Sequence, residues 1–157
     1  MNTFSPTTVR NPLASVAASQ PGDLTVSTVR NVSELGGRIL LSALFLISGL
    51  GKIGAYTETA AYMTAAGVPG ALLPAVIATE VLGAIALIVG WTTRVTAFLL
   101  AGFTLLSGVL FHNHLADQMQ SIMLLKNVAI AGGLLLLVAN GAGPLSLDRR
   151  FAGSGNG

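Results

Sequence analysis

One acid and two amines stand inside runs of apolar residues. Glu80 lies within the stretch 72–91, Lys52 within the last turns of the stretch that opens at Arg38, and Lys126 a few residues into the stretch that opens at Ser121. An ionised side chain at mid-membrane costs roughly 3 kcal/mol or more unless it is paired or wet. Lys52 and Lys126 are the cations inside these stretches, so Glu80 is expected to pair with at least one of them. A carboxylate so placed can relay a proton or hold a ligand. An ammonium beside it can steady negative charge on a bound oxygen. The same pair can instead be structural, fixing how helices pack, although buried pairs do not reliably stabilise a fold. Lys52 can also snorkel its ammonium to the interface.

His112 and His114 flank Asn113 at the end of a third apolar stretch. At a spacing of two they point to different faces of a helix, so one helix cannot offer both to a single ion, and no metal site is expected. A histidine exchanges protons near neutral pH. His112 is therefore a candidate proton-transfer group beside Glu80, and His114 a candidate contact for a bound carbonyl. Asn127, next to Lys126, is a candidate ligand contact or an interhelical hydrogen-bonding group. The run Gly49-Leu50-Gly51-Lys52 lacks the spacing of a phosphate-binding loop. Its glycines suit close helix packing. Met119 and Met123 are expected to pack.

The elements that must hold these groups follow from composition. Of 157 residues 52% are hydrophobic and only 9% charged, and mean hydropathy is +0.75. A soluble domain carries roughly 25% charged residues, so too little charge remains to cover a water-facing surface. The apolar residues fall into four runs, near 38–56, 72–91, 95–112 and 121–139. Each is close to the ~20 helical residues that cross a bilayer core. The expectation is an all-α, integral membrane four-helix bundle. Residues 1–33 are expected to be a disordered tail, 34–148 the membrane domain and 149–157 a flexible tail. A short segment at 58–66 is expected at the interface or folded back on the bundle, stopped by Gly67 and Pro69. No apolar run follows a basic start, so no signal peptide is expected.

Four spans place Arg10, Arg30, Arg38, Arg94, Arg149 and Arg150 at one membrane face, and Lys52 and Lys126 towards the other. The positive-inside rule then puts both termini in the cytoplasm. At 1.5 Å per residue, Glu80 lies ~12 Å and Lys126 ~8 Å below the outer ends of their spans. The intramembrane polar groups thus share one leaflet. The basic residues are dispersed, so no nucleic-acid partner is expected. With no cysteine, the chain has no thiol for disulfide exchange or iron–sulfur ligation. A faint internal repeat pairs Ser48-Gly49 in the first span with Ser107-Gly108 in the third.

The run GRILLSALFLISGLGKIGAY at 37–56, Glu80 with Leu82 and Gly83, the FHNH run at 111–114, and DQMQSIMLLKNVAIAGGLLLL at 117–137 together resemble the DoxX family of membrane proteins. The resemblance covers about residues 35–148. It implies a four-helix membrane bundle in a bacterial inner membrane. The family includes a quinone-linked thiosulfate oxidoreductase subunit. Other members are named as oxidoreductases tied to catechol or quinone stress, or are accessory membrane subunits. The family's recurrent polar positions match Lys52, Glu80, His112, Lys126 and Asn127. The absence of cysteine departs from any thiol-based chemistry.

The resulting expectation is a component of a quinone-linked oxidoreductase system. Quinone would be the bound redox group, with nothing covalently attached. Glu80 and His112 would move protons; Lys52, Lys126, Asn127 and His114 would contact the ligand. One alternative is a non-catalytic anchor for a redox partner protein. The other is a small permease for an aromatic or lipid-like solute, which would work as a homodimer. Membrane lipid surrounds the chain in every case.

Overall fold

The computed structural model describes residues 21–154. The chain folds into α1 (Pro21–Gly54), α2 (Tyr56–Ala65), a 3-10 turn (Gly70–Leu72), α3 (Leu73–Val89), α4 (Thr93–Phe111), α5 (Gln118–Asn140) and α6 (Leu147–Ser154). Among the described residues there is no strand. Four segments are long and apolar enough to cross a membrane: Thr25–Gly54, Gly70–Val89, Thr93–Phe111 and Gln118–Asn140. The fold is the expected all-helical membrane bundle.

The interior is thin. Phe45, Ala84, Leu87, Ala97, Leu100, Ala101, Ala131 and Leu134 form its core. The outward faces carry Leu40, Ile47, Phe98, Leu99, Leu125 and Leu136, all largely exposed. In water such a surface would aggregate; in lipid it is the favoured one. Small residues let the helices approach. A Cβ at Gly49 would fall 2.7 Å from Val81 Cγ2, and one at Gly108 would fall 3.1 Å from Asn127 Cβ. These contacts define two closely packed pairs, α1 with α3 and α4 with α5. A Cβ at Gly83 would fall 2.9 Å from Leu100, which marks where the two pairs meet through α3 and α4. The Ser-Gly repeat thus has a packing counterpart. In each pair the glycine backs onto the polar residue of the facing helix, Glu80 or Asn127.

Two of the sequence-based boundaries need correction. Of the tail expected over residues 1–33, residues 1–20 lie outside the described residues, but Pro21 onward is helical. No proline or glycine stands between Gly22 and Gly36, so nothing interrupts the hydrogen-bond ladder that α1 carries back from the membrane. Arg30 and Glu34, one turn apart at 3.8 Å, add a weak pair, and Glu34 rests against Gly143. At 34 residues α1 is ~51 Å long, well beyond a bilayer core of ~30 Å. The second correction is at the C-terminus. Residues expected to be flexible from 149 on continue α6 to Ser154, because Asp148 and the segment before it are tied to the bundle.

Candidate functional site

Ser48 and Lys52 are one helical turn apart, so α1 presents both on the face that meets α3. Gly49, on the same face, lets α3 come close enough for Glu80 to reach them. Lys52 Nζ donates to Glu80 Oε1 at 2.9 Å, to Glu80 Oε2 at 2.8 Å and to Ser48 Oγ at 2.6 Å. Ser48 Oγ donates to Glu80 Oε1 at 3.2 Å. Glu80 is 5% exposed. The acid is therefore buried, paired and satisfied, and its partner is Lys52.

This pair forms part of the wall of a cavity of about 440 Å³ bounded by α2, α3 and α4. The rest of the wall is mostly apolar and aromatic, with Met63, Phe103, Leu106 and Phe111 prominent. The short helix α2 lies over it. Tyr62 stacks on Phe111 of α4, ring centroids 5.4 Å apart and planes at 21°, and Met63 is buried beneath. Residues 58–66 thus fold back on the bundle. His112 also lines the cavity, at the C-terminal cap of α4. Its Nδ1 lies 2.8 Å from Gln120 Oε1. Gln120 is held in the first turn of α5, where the Asp117 side chain accepts from the backbone N–H groups of Met119 and Gln120.

The structure therefore brings Glu80, Lys52 and His112 to one cavity. The other sequence candidates lie elsewhere. Lys126 is exposed, its Nζ 3.9 Å from Met123 Sδ. Asn127 is half-buried against Gly108, on the α4–α5 contact. His114 is exposed in the loop after α4. The helix ends at Phe111, so the two histidines are separated by chain direction as well as spacing. Ser48 and Gln120 did not stand out in the sequence. Ser48 carried a usable signal, its one-turn spacing from Lys52. Gln120 carried none, because its approach to His112 depends on the path of the loop between them.

A second polar cluster lies at the opposite end of the bundle. Arg38 is 1% exposed, and its guanidinium donates to the carbonyls of Ala142 and of Leu145, the latter at 2.6 Å. Asp148 accepts from the backbone N–H groups of Thr92 at 2.7 Å and Thr93 at 2.8 Å, capping α4 from a distant part of the chain. Its own N–H donates to Gly90 O at 2.9 Å. Partial burial pushes the Asp148 carboxyl up, but hydrogen bonds from Thr93 and Thr92 and the charge of Arg38 together hold it below its ordinary value. Gly90 is left-handed (φ 70°), and a Cβ there would fall 2.5 Å from Ser146 Cβ. Arg38 is thus a clamp on the C-terminal segment rather than a solvated cation.

The DoxX family signature matches residues 34–113, just over half of the chain, including α1 from Glu34, the cavity and the pair within it. The chain is 47% identical over 121 residues to the inner membrane protein YqjF of Escherichia coli (strain K12), covering 77% of this chain and 93% of that protein. It is 38% identical over 128 residues to the inner membrane protein YphA of the same organism, covering 77% and 91%. No solved structure gives a significant match. Family signature, relatives and helical bundle agree, and the chain belongs to the DoxX family.

Proposed function

We propose that this chain is an inner-membrane protein with both termini in the cytoplasm, and that its cavity binds the ring of a quinone or related aromatic within a quinone-linked redox system. The inner-membrane assignment is supported by the two relatives named above. The orientation is supported by Arg30, Arg94, Arg149 and Arg150 lying at one end and Lys52 and Lys126 at the other. Arg38 drops out of this count because it is buried and clamped.

The observation that carries the functional reading is that the Glu80–Lys52 pair opens onto an aromatic-lined cavity instead of being sealed by packing. A volume of about 440 Å³ is in the range of small-molecule sites, which are mostly apolar with a few placed polar groups. A quinone ring fits that description: flat, apolar on both faces and polar at its two oxygens. When bound, it would supply two-electron redox chemistry coupled to proton uptake. Phe103 and Phe111 would hold the ring, and Glu80 would take or return a proton at its carboxylate. Lys52 would hold the compensating charge, and His112 would exchange a second proton. With no cysteine in the chain, electrons would pass to or from a further bound cofactor or a partner protein. The accessory reading, in which the chain anchors that partner, draws support from how completely Lys52, Ser48 and Glu80 satisfy one another.

Native mass spectrometry of the protein released gently from its own membrane tests this. The expected result is a bound ligand of quinone mass in the wild type that is lost in Glu80→Gln. A co-purifying protein with no small ligand in any preparation would favour the anchor and overturn the ligand site.

A further inference from the structure

The helices contribute unequally to the cavity. Most of its wall comes from α3 and α4; α2 supplies Thr59, Tyr62 and Met63, α1 supplies Lys52 alone, and α5 supplies nothing. The cavity therefore lies on the side of α3 and α4 that faces away from α5. Four of its sides are closed. Towards α1, a Cβ at Gly49 would fall 2.7 Å from Val81 Cγ2 and 3.2 Å from Glu80 Cβ. Behind α4, Gly108 is pressed as closely on Asn127 and Leu124 of α5. Below, α3 meets α4 at Gly83 and Leu100, and Ala84, Leu87 and Ala101 are buried. Above, α2 is fixed by the Tyr62–Phe111 stack and by Gly70, where a Cβ would fall 2.8 Å from Ala60 O. The gap between α3 and α4 remains. Leu106 lines the cavity yet is 59% exposed, and Ala75, Thr79 and Leu110 are exposed wall residues too. At 1.5 Å per residue Leu106 lies ~7.5 Å inside the Phe111 end of α4, so the gap opens at the depth of hydrocarbon. Its rim suits that surrounding. Ala75, Leu106 and Leu110 are apolar, and the Thr79 hydroxyl donates to Ala75 O at 2.8 Å within its own helix.

We propose that the cavity opens sideways into the lipid through the α3–α4 gap, and that its ligand is a membrane-dissolved amphiphile, its ring inside and its hydrocarbon tail lying out through the gap in the leaflet at the Lys52 end. This rests on the aromatic site proposed above and adds the class of ligand, a tailed ring taken from the bilayer instead of a small aromatic taken from water. The wall has the matching polarity: the charged pair stands at the α1 end and the apolar rim at the α3–α4 opening. At about 440 Å³ the cavity is at the small end of ligand sites, enough for a ring and not for a long chain beside it. A tail left in the lipid meets no new surroundings on binding, so its length adds nothing to the affinity of a ligand already dissolved in the membrane.

The opening is tested without a ligand. The chain has a single tryptophan, Trp91, so Trp91→Phe gives a background for one reporter at a time. Leu106→Trp, with Leu110→Trp as a second reporter should the first not fold, is placed in nanodiscs of phosphatidylcholine brominated along its acyl chains. Its fluorescence is expected to be quenched as strongly as that of Leu99→Trp on the outer face of α4, and to escape iodide. Quenching by iodide and not by the brominated lipid would mean that the cavity opens to water, and quenching by neither that it is sealed; either result overturns the sideways opening while the aromatic site stands. The ligand class is tested by titrating the wild type in nanodiscs with a benzoquinone bearing a pentyl tail and the same ring bearing a decyl tail. Affinities referred to the ligand dissolved in the lipid are expected to agree within about twofold, while those referred to the aqueous phase rise about fourfold per methylene. Affinities that instead agree when referred to the aqueous phase put the tail in water, and a lipid-referred affinity that climbs with tail length puts it inside the protein; both overturn the proposed ligand pose. No binding of either compound overturns the aromatic site and the ligand class together, and the bromolipid result still decides the opening.

Discussion

Lys52 is the residue on which the charged end of the cavity depends. Its ammonium holds both oxygens of Glu80 and the hydroxyl of Ser48. Removing one member of a buried pair leaves the other charge without compensation, whereas replacing both by apolar groups of similar size is often neutral. Lys52→Met is therefore expected to destabilise the fold by roughly 3 kcal/mol, and Lys52→Met/Glu80→Leu to restore most of that loss. Unfolding in mixed micelles, measured for both variants, checks this. Equal destabilisation by the single and double changes would mean that the carboxylate is compensated elsewhere. Neither variant should bind the proposed ligand, so stability and binding separate in the double variant.

At the scale of elements, two neighbouring glycines have opposite roles. Gly49 faces α3, where a Cβ would sit 2.7 Å from Val81 and 3.2 Å from the Glu80 Cβ; Gly51 faces away, with nothing within 4 Å. Gly49→Val should push α1 from α3, at a cost of about 1–3 kcal/mol, the usual range for overpacking. It should also loosen the Lys52–Glu80 pair. Gly51→Ala should be neutral or stabilising by up to ~1 kcal/mol, from helix propensity alone. Thermal unfolding of the two variants side by side decides the matter, and similar melting temperatures would contradict the packing argument. The Gly108–Asn127 contact is the counterpart in the second helix pair, which makes packing the role the structure supports for Asn127.

On the scale of the whole molecule, the segment that follows α5 is fastened to α1 and to the start of α4. Arg38 of α1 holds the carbonyls of Ala142 and Leu145, and Asp148 caps α4. Asp148→Ala is expected to cost about 1 kcal/mol, as loss of a helix cap does. The folded carboxyl titrates below its ordinary value of 3.8, so its contribution is fully present above that pH and is lost as pH falls through the lower, folded value. The stability gap between wild type and Asp148→Ala should thus be constant at neutral and mildly acid pH and close only below 3.8. A gap that closed near neutrality would rule this origin out. Orientation is testable on the same scale, because the natural chain has no cysteine. A single cysteine introduced at Ala116 should react with an impermeant maleimide added from outside spheroplasts, and Arg150→Cys should react only after lysis. The reverse pattern would invert the proposed topology.

Much of this protein can be read along the chain. Four apolar runs separated by Gly67, Pro69, Gly90 and the polar 113–120 segment determine four helices, because each run matches a bilayer and nothing else in the composition can cover a soluble surface. The cost of an unpaired charge in lipid likewise determines that Glu80 needs a cation. Which cation was not determined, because hydropathy is a sum along the chain and carries no information on helix rotation. Gly49 turns α1 so that Lys52 meets Glu80, while α5 is rotated so that Lys126 faces out and Asn127 faces Gly108. The same limit hid the partnership of His112 with Gln120 and the clamp of Arg38 on residues 142–145. These contacts join segments far apart in sequence or reached across a loop, and only the packed bundle brings them together.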